Sequence, residues 1–394
     1  MKKTQILLVA LTIMIFASQT ALAIPAFARR YRMSCTTCHA PFPRLKPYGD
    51  DFAGDGFVIE EEERERDYVT AGDDLLWLNK DFPMAMKFEA YVLGDDDSDI
   101  SNDLQIPWGM KFFSGGALYK DISYYVYFYM SERGEVAGIE DAYVHFNDIF
   151  DTNLDIMAGQ FQTSDPLMKR ELRLTFEDYH IYKKNIGQSK TNLTYDRGLM
   201  FVYGLEQTST DIIGMVVNGN GIPEANEEHF FDQDKFKNFG FRLNQTITEN
   251  LSLGGFFYYG DEKVRHAINP TAIYDNNVQY YGPDLACSFL EKFDLTAQYL
   301  HRTDSNPYAL AQEKSVDTDG IVSELIFYPQ PDMSRYYVTM LYNWIDSDYD
   351  KADYNTLCLS GTYLLARNLR LNAEYIYDLN NEANRFVLGL VSGF

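Results

Sequence analysis

From about Met84 to the C-terminus, apolar and polar side chains alternate with a period of two. One such stretch reads Leu369, Arg370, Leu371, Asn372, Ala373, Glu374, Tyr375. Successive side chains of a β-strand point to opposite faces of its sheet, so each stretch would have one apolar and one polar face. Alternation over segments of about ten residues is what lipid-facing strands of a membrane β-barrel require.

We predict about sixteen strands of this kind and therefore an all-β fold, a transmembrane antiparallel barrel. The predicted strands are 84–94, 105–118, 122–132, 138–147, 153–162, 197–207, 210–219, 236–246, 249–260, 277–289, 292–302, 318–329, 333–345, 352–364, 367–379 and 383–394. Short turns such as 119–121 alternate with connections that are mostly longer, such as 163–196. Outer-membrane barrels have short periplasmic turns and long outer loops. The first strand is therefore predicted to start, and the last strand to end, on the periplasmic side.

The last predicted strand supports a barrel rather than a soluble β-sandwich. Phe386, Leu388 and Leu390 share one face, and the chain ends on the aromatic residue Phe394. A soluble sandwich would be shorter and would not normally end on an aromatic side chain. The opposite, lumen-facing positions are small, which leaves room for a plug or reflects ordinary packing: Val387, Gly389, Val391 and Gly393.

The first 23 residues predict a secretory signal peptide. Lys2 and Lys3 precede an apolar stretch from Ile6 to Phe16, and Ala21-Leu22-Ala23 is a small-residue cleavage site. We expect cleavage after Ala23 and export to the bacterial outer membrane. Beyond this segment the sequence contains no run of 18 or more apolar residues that could span a bilayer as a helix.

Composition narrows the function classes. The 394 residues include 30 Tyr and 27 Phe, too many aromatic residues for a disordered acidic polymer. With 58 acidic and 34 basic side chains the formal charge is −24, which argues against nucleic acid as a partner. Neither a P-loop nor a Ser/His/Asp set stands out, so hydrolase and kinase activities are disfavoured.

Residues 24–60 predict a small α-helical monohaem cytochrome c module. Cys35, Cys38 and His39 form a C-x-x-C-H motif, in which the thiols attach haem c and the histidine is the proximal iron ligand. A thioredoxin-like dithiol would need a βαβ context, and half a zinc site would need a second Cys/His pair. The remaining cysteines, Cys287 and Cys358, are isolated, and parity on distant strands predicts that they are free thiols.

The module is too short to form a core of its own. Phe42, Leu45, Tyr48 and Phe52 are spaced three or four apart, which predicts short helical turns with one apolar side. We expect the haem to complete this core. Residues 61–83 are predicted to be an acidic linker, and the barrel would occupy 84–394.

An exported C-x-x-C-H motif followed by a barrel resembles the fused monohaem c-type cytochrome–porins of bacterial outer membranes, including the outer-membrane iron oxidases. The resemblance is specific around the motif, in Ala26-Phe27-Ala28-Arg29, Phe42-Pro43-Arg44-Leu45 and Tyr48-Gly49, and elsewhere it is one of architecture. It implies one covalent haem c on Cys35 and Cys38, with His39 as proximal ligand. It also places the cytochrome within or against the lumen.

The sequence does not assign the sixth ligand of the haem iron. Met33 is near the motif, and His145 and Met157 fall on the lumen face by parity. For each of them a packing role is the more ordinary interpretation.

Carboxylates cluster in the predicted outer loops, where they would concentrate cations or simply be solvated. The clusters are Asp95, Asp96, Asp97 and Asp99; Glu224, Glu227, Glu228, Asp232 and Asp234; and Asp346, Asp348 and Asp350. The longest connection, 163–196, carries Lys169, Arg170 and Arg173 and would either constrict the lumen or lie at the surface.

The leading hypothesis is an electron conduit in the outer membrane. It would pass electrons from an extracellular donor, Fe(II), through the haem to a periplasmic c-type cytochrome, as an iron:cytochrome oxidoreductase. One alternative reverses the flow, outward to a metal oxide or partner. Another is a solute porin in which the haem module is a plug.

Overall fold

The computed structural model describes residues 26–59, 68–69, 71–73, 75–79, 82–96, 101–136, 138–164, 167–232 and 234–394. The predicted signal peptide, 1–23, and the charged run 60–67 lie outside the described residues. No helix in the described ranges is long and apolar enough to cross a membrane.

The N-terminal segment, residues 26–59, consists of three short helices joined by turns. They are α1 (Ala26–Tyr31), α2 (Cys35–Cys38) and α3 (Pro47–Gly54). Ser34 caps α2, because its Oγ accepts a hydrogen bond from the backbone N–H of Thr36 at 3.3 Å. Pro47 begins α3, where its missing N–H breaks no helical hydrogen bond. The predicted helical turns are thus present.

The stretch 61–83 is not a linker throughout. Two short antiparallel strands, β1 (Tyr68–Val69) and β2 (Leu78–Asn79), pair through Val69 and Leu78. Backbone pairing therefore turns this stretch back on itself just before the barrel begins. The charge pattern of this stretch does not indicate such pairing.

Sixteen antiparallel strands, β3 to β18, form a closed barrel, as predicted. Each strand pairs with its neighbours in the sequence, and β18 pairs with β3 to close the cylinder. The strands are β3 (Met84–Asp95), β4 (Asn102–Tyr119), β5 (Ile122–Glu132), β6 (Gly138–Phe146), β7 (Leu154–Gln162), β8 (Tyr195–Leu205), β9 (Thr210–Val217), β10 (Asn238–Thr248), β11 (Leu251–Arg265), β12 (Ile273–Phe289), β13 (Phe293–Asp304), β14 (Val316–Phe327), β15 (Tyr336–Ser347), β16 (Tyr354–Ala366), β17 (Leu369–Asp378) and β18 (Ala383–Gly393).

The barrel carries its apolar face on the outside. On β17, Leu371 is 42% exposed on the outer face, whereas Arg370 and Glu374 are each 4% exposed on the inner face. On β18, Phe386 and Leu388 point outward and Val387 lies buried inside. This arrangement, with apolar side chains outside and polar side chains inside, is the reverse of that in a soluble protein and suits a barrel surrounded by lipid.

Two strands are longer than the sequence pattern indicates. Strand β11 continues to Arg265, and β12 already begins at Ile273. The predicted loop 261–276 is therefore only 266–272. Polar cross-strand pairs hold this extension together, since Asn277 donates to Asp261 at 3.0 Å and Lys263 pairs with Asp275. A polar hairpin that extends into solvent resembles a loop in sequence, which explains the difference.

The lumen is filled by two separate parts of the chain. The N-terminal segment occupies the end of the barrel with the short turns, where Arg29 donates to the carbonyl of Met84. The inner loop, defined here as residues 163–164 and 167–194, folds into the barrel and contains a short helix, α4 (His180–Lys183). Glu374 on the wall accepts hydrogen bonds from the backbone N–H groups of Phe176 and Glu177, both at 2.8 Å. The constriction that was one of two possibilities for this connection is therefore present.

Candidate functional site

Cys35, Cys38 and His39 come together at one face of the N-terminal segment. The two cysteines are the first and last residues of α2 and therefore lie on the same side of one helical turn. The backbone N–H of His39 donates to the carbonyl of Cys35 at 2.9 Å, which closes the turn. All three side chains border a single cavity.

The imidazole of His39 is held in one orientation. Its Nδ1 lies 2.7 Å from the carbonyl oxygen of Pro43, which can only accept, so Nδ1 carries the proton. The ring of Phe42 contacts it edge-on at a centroid distance of 4.9 Å. Burial lowers the pKa of His39 to about 4, so the ring is neutral and Nε2 keeps its lone pair.

The thiols of Cys35 and Cys38 are protonated in this environment. Burial raises the pKa of both groups, and for Cys38 the neighbouring Cys35 raises it further. Both side chains are half-buried and form no disulfide. Cys287 and Cys358 are also free, on β12 and β16, four strands apart, as predicted.

The cavity lies between the N-terminal segment, the barrel wall and the inner loop. It contains about 1290 Å³ of space not occupied by atoms, part of it open to solvent. The N-terminal segment contributes Met33 and a group of aromatic rings, among them Phe27, Phe42, Phe52 and Phe57. The wall contributes Ala85, Lys87, Phe113, Tyr125, Tyr127, Arg370 and Val391, and the inner loop contributes Lys169, Glu171 and Leu172.

Aromatic stacking fixes one side of the cavity. The rings of Phe27 and Phe57 stack at 4.9 Å, and Phe57 stacks in turn on Tyr125 of β5 at 4.8 Å. This continuous stack joins the N-terminal segment to the wall. Offset or edge contacts of this kind add roughly 0.5–1.5 kcal/mol each beyond the burial of area.

Polar contacts dock the opposite side of the N-terminal segment on the wall. Arg44 donates to Glu324 at 3.0 Å and to Thr296 at 2.7 Å. Tyr337 donates to the carbonyl of Phe42 at 3.1 Å. The carboxylate and hydroxyl groups on the wall therefore fix the turn that follows the C-x-x-C-H motif.

The three candidates for a sixth ligand lie in two places. Met33 borders the cavity together with the motif. His145 and Met157 face the lumen, as parity predicts, and are direct partners on β6 and β7. Neither of them is among the residues that border the cavity.

Several residues of the cavity were not identified from the sequence. Lys87 and Arg370 bring positive charge to its lining, and Phe113 brings an aromatic ring. Lys87 alternates with outward-facing neighbours, so parity could have placed it in the lumen. No sequence signal shows that β3 and β17 lie around the same cavity.

The inner loop is fixed by a buried charge cluster around Asp178. Its carboxylate contacts Arg170 at 2.8 Å, Arg173 at 2.7 Å and Lys183 at 3.1 Å. Burial raises the pKa of Asp178, but the adjacent Arg173 and Arg170 outweigh it and hold that pKa well below its usual range. The basic residues predicted in this connection are therefore paired within the loop.

The acidic outer loops form no metal site in the described part of the chain. There, no group of three or more His, Cys, Asp or Glu side chains is arranged to hold a metal ion. Asp232 pairs instead with Lys237. Asp97 and Asp99 lie outside the described residues.

Comparison with known proteins identifies the fold alone. No protein-family model and no curated protein sequence matches this chain. Among solved structures, a loop L8 deletion mutant of OmpT, an outer membrane protein of Vibrio cholerae, is 13% identical with a TM-score of 0.56, covering 80% of this chain and 99% of that one. An anion-selective porin from Comamonas acidovorans is 8% identical with a TM-score of 0.57 (80% and 99% covered). Salmonella typhi OmpF, solved with daunomycin, is 10% identical with a TM-score of 0.54 (79% and 97% covered). The chain thus has the fold of outer-membrane porins.

Proposed function

We propose that this protein is an outer-membrane electron conduit in which a single haem c occupies the cavity. It passes electrons between an extracellular donor, Fe(II), and a periplasmic c-type cytochrome. The observation that carries the proposal is that the C-x-x-C-H turn opens into an apolar cavity shared by the N-terminal segment and the barrel wall.

The chemistry of the residues around the cavity fits a haem. Its lining is mostly apolar and includes several aromatic rings, as a large flat macrocycle requires. Both thiols and the His39 ring stand on one wall. Lys87, Lys169 and Arg370 in the lining suit the two carboxylates of a haem.

Each residue of the motif has a distinct role in this proposal. Cys35 and Cys38 form the thioether bonds, and His39 offers Nε2 to the iron. The hydrogen bond from Nδ1 to the Pro43 carbonyl fixes the ring and makes Nε2 a stronger donor. Met33 is the remaining candidate for the sixth position because it alone of the three candidates borders the cavity. Bound haem supplies one-electron chemistry.

The proposed location follows from the surface and the ends of the barrel. The outward apolar face is suited to outer-membrane lipid. The N-terminal segment sits at the end with the short turns, which is periplasmic in outer-membrane barrels. A haem there would be close to a periplasmic cytochrome. Acidic loops at the other end would raise the local concentration of a cation such as Fe(II).

A solute porin with a haem plug is the second candidate function, and the likeness to porin structures favours it. The filled lumen argues for the conduit, since the N-terminal segment and the inner loop both pack against the inner wall. Conductance in planar bilayers separates the two. A conduit should be nearly silent, whereas a porin should conduct ions continuously.

Spectroelectrochemistry of the detergent-purified protein tests the conduit. We expect a c-type absorption spectrum, one haem for each chain, and reduction of that haem when Fe(II) is added. If the correctly matured protein is colourless, the proposal that it binds haem c is wrong. If Fe(II) does not reduce the haem at any relevant pH, Fe(II) is not the electron donor. A low midpoint potential would favour electron flow outward from the cell.

A further inference from the structure

Three neighbouring barrel strands carry nitrogen and sulfur donors side by side on the inner wall. His145 on β6 is the direct partner of Met157 on β7, and Met157 is the direct partner of Met200 on β8. Direct partners in antiparallel strands point to the same face of the sheet. We call these three residues the His-Met row; none of them borders the haem cavity.

His145 has an unmet need for a partner. It is 3% exposed, and neither its Nδ1 nor its Nε2 has a hydrogen-bond partner. The ring of Tyr143 lies edge-on to the imidazole, with the two ring centroids 6.5 Å apart. Buried polar atoms are almost always paired, so an unpaired imidazole indicates a ligand, water or ion beside it.

His145 has Met157 as its neighbour toward β7 and Ser123 as its neighbour toward β5, and the Ser123 Oγ also has no hydrogen-bond partner. Beyond Met157 the next side chain is a second sulfur donor, Met200. Met200 is 4% exposed, and Met157 packs against the same apolar cluster. A thioether is a poor hydrogen-bond acceptor, so neither methionine satisfies the imidazole. Thioether sulfur is, however, a soft metal ligand that selects Cu(I) over hard cations.

The spacing of the row fits a shared ion. Neighbouring strands are about 4.8 Å apart, so His145 and Met200 are separated by about 10 Å at the backbone, with Met157 between them. Side chains of this length can converge above the middle strand. The three donors are one imidazole and two thioethers, with no carboxylate among them. A monovalent ion therefore suits the site better than a divalent one.

The row continues to Met215 on β9, the partner of Met200, but that sulfur points elsewhere. A Cβ placed on Gly240 of β10 would come within 2.7 Å of Met215 Sδ, so this side chain leans over the glycine. We therefore leave Met215 out of the site.

We propose that His145, Met157 and Met200 bind one soft monovalent metal ion, Cu(I), on the inner wall of the barrel. The site is independent of the haem, because it shares no residue with the cavity. The proposal therefore stands or falls separately from the electron-conduit function.

The test is an anaerobic titration of the full-length protein with Cu(I) against a coloured Cu(I) chelator. A C287S/C358S background treated with a thiol-blocking maleimide removes competing sulfur. We expect one Cu(I) for each chain, and X-ray absorption showing both sulfur and nitrogen around the copper. Zn(II) should not be retained.

Conservative variants locate the site. M157L and M200L keep the volume of the side chain but remove the sulfur, so each should weaken Cu(I) binding at least tenfold. M340L, on the outward face, is the matched control and should bind as the parent does. Three results would each overturn the proposal. They are parent protein that retains no Cu(I), copper with only nitrogen and oxygen neighbours, and M157L and M200L variants that bind Cu(I) as tightly as the parent.

Discussion

Arg44 of the N-terminal segment forms an ion pair with Glu324 on the inner wall of β14, with Nη1 and Oε1 3.0 Å apart. Glu324 also accepts a hydrogen bond from Tyr179 of the inner loop at 3.2 Å. One buried carboxylate therefore holds both fillings of the lumen against the wall. Breaking these contacts should therefore show whether they keep the lumen blocked.

Replacing Arg44 should open the lumen. In R44A the carboxylate of Glu324 stays buried without its cation, which costs about 3 kcal/mol, the lower end for a broken buried pair. We expect channel openings in planar bilayers that the parent lacks, and partial recovery in R44A/E324Q. K46A is the control, since its partner Asp332 is 53% exposed and such pairs contribute little. Silent R44A channels would contradict the docking role.

Gly49 and Gly54 allow a matched test of how α3 packs on the motif. A Cβ at Gly49 would lie 2.4 Å from the carbonyl oxygen of Cys38, whereas a Cβ at Gly54 meets nothing within 4 Å. G49A should therefore push α3 from the motif at a cost of about 1–3 kcal/mol and lower the haem content. G54A should keep it. The measurement is haem for each chain by absorbance, and equal content in both variants would contradict this packing.

Covalent haem attachment should depend on two of the four cysteines. C35S/C38S should lose the haem stain on a denaturing gel, because no thioether can form. C287S is the control, since Cys287 lies on β12, and it should keep full staining. Both proteins should still migrate as folded barrels before heating. Staining of C35S/C38S at the parent level would exclude the proposed attachment.

Acid should release the inner loop. Arg173 and Arg170 hold the pKa of Asp178 well below its usual range, so the carboxylate stabilises the docked loop above its undocked pKa of about 3.9. This stabilisation is complete at neutral pH and is lost as the pH falls through the lower, docked value. We expect constant, low conductance from pH 8 to about 5 and increasing conductance below about 4.

Removing the Asp178 charge provides the control for this pH dependence. D178N leaves Arg170 and Arg173 without their counter-ion and should conduct already at neutral pH, with little change on acidification. If D178N and the parent shared the same pH profile, another group would be responsible for docking.

The strands of the barrel could be predicted because each one carries its own period-two pattern. Leu371 and Arg370 face opposite sides in the structure as they do in the sequence pattern. The motif of Cys35, Cys38 and His39 was equally local. The extension of β11 to Arg265 was missed, because polar strand residues in solvent resemble a loop.

Long-range placement could not be predicted. The inner loop enters the lumen because Glu374, almost 200 residues later, accepts its backbone N–H groups. Met33, which borders the cavity, follows Arg32, whose backbone is left-handed with φ of 55°. Arginine is not typical of that conformation, so the sequence does not predict the turn. Such contacts depend on which strands face each other across the cylinder, and the alternation of side chains carries no information about that.

The cavity also spans the seam where the two ends of the barrel sheet meet. Ala85 and Lys87 come from β3, and Val391 and Gly393 come from β18, with Gly393 paired directly to Lys87. A chain whose outermost strands have not yet joined has only half of this wall. Anything that binds there prefers the joined form and stabilises it by its own binding free energy. An occupant of the cavity would thus act as a latch on the finished cylinder.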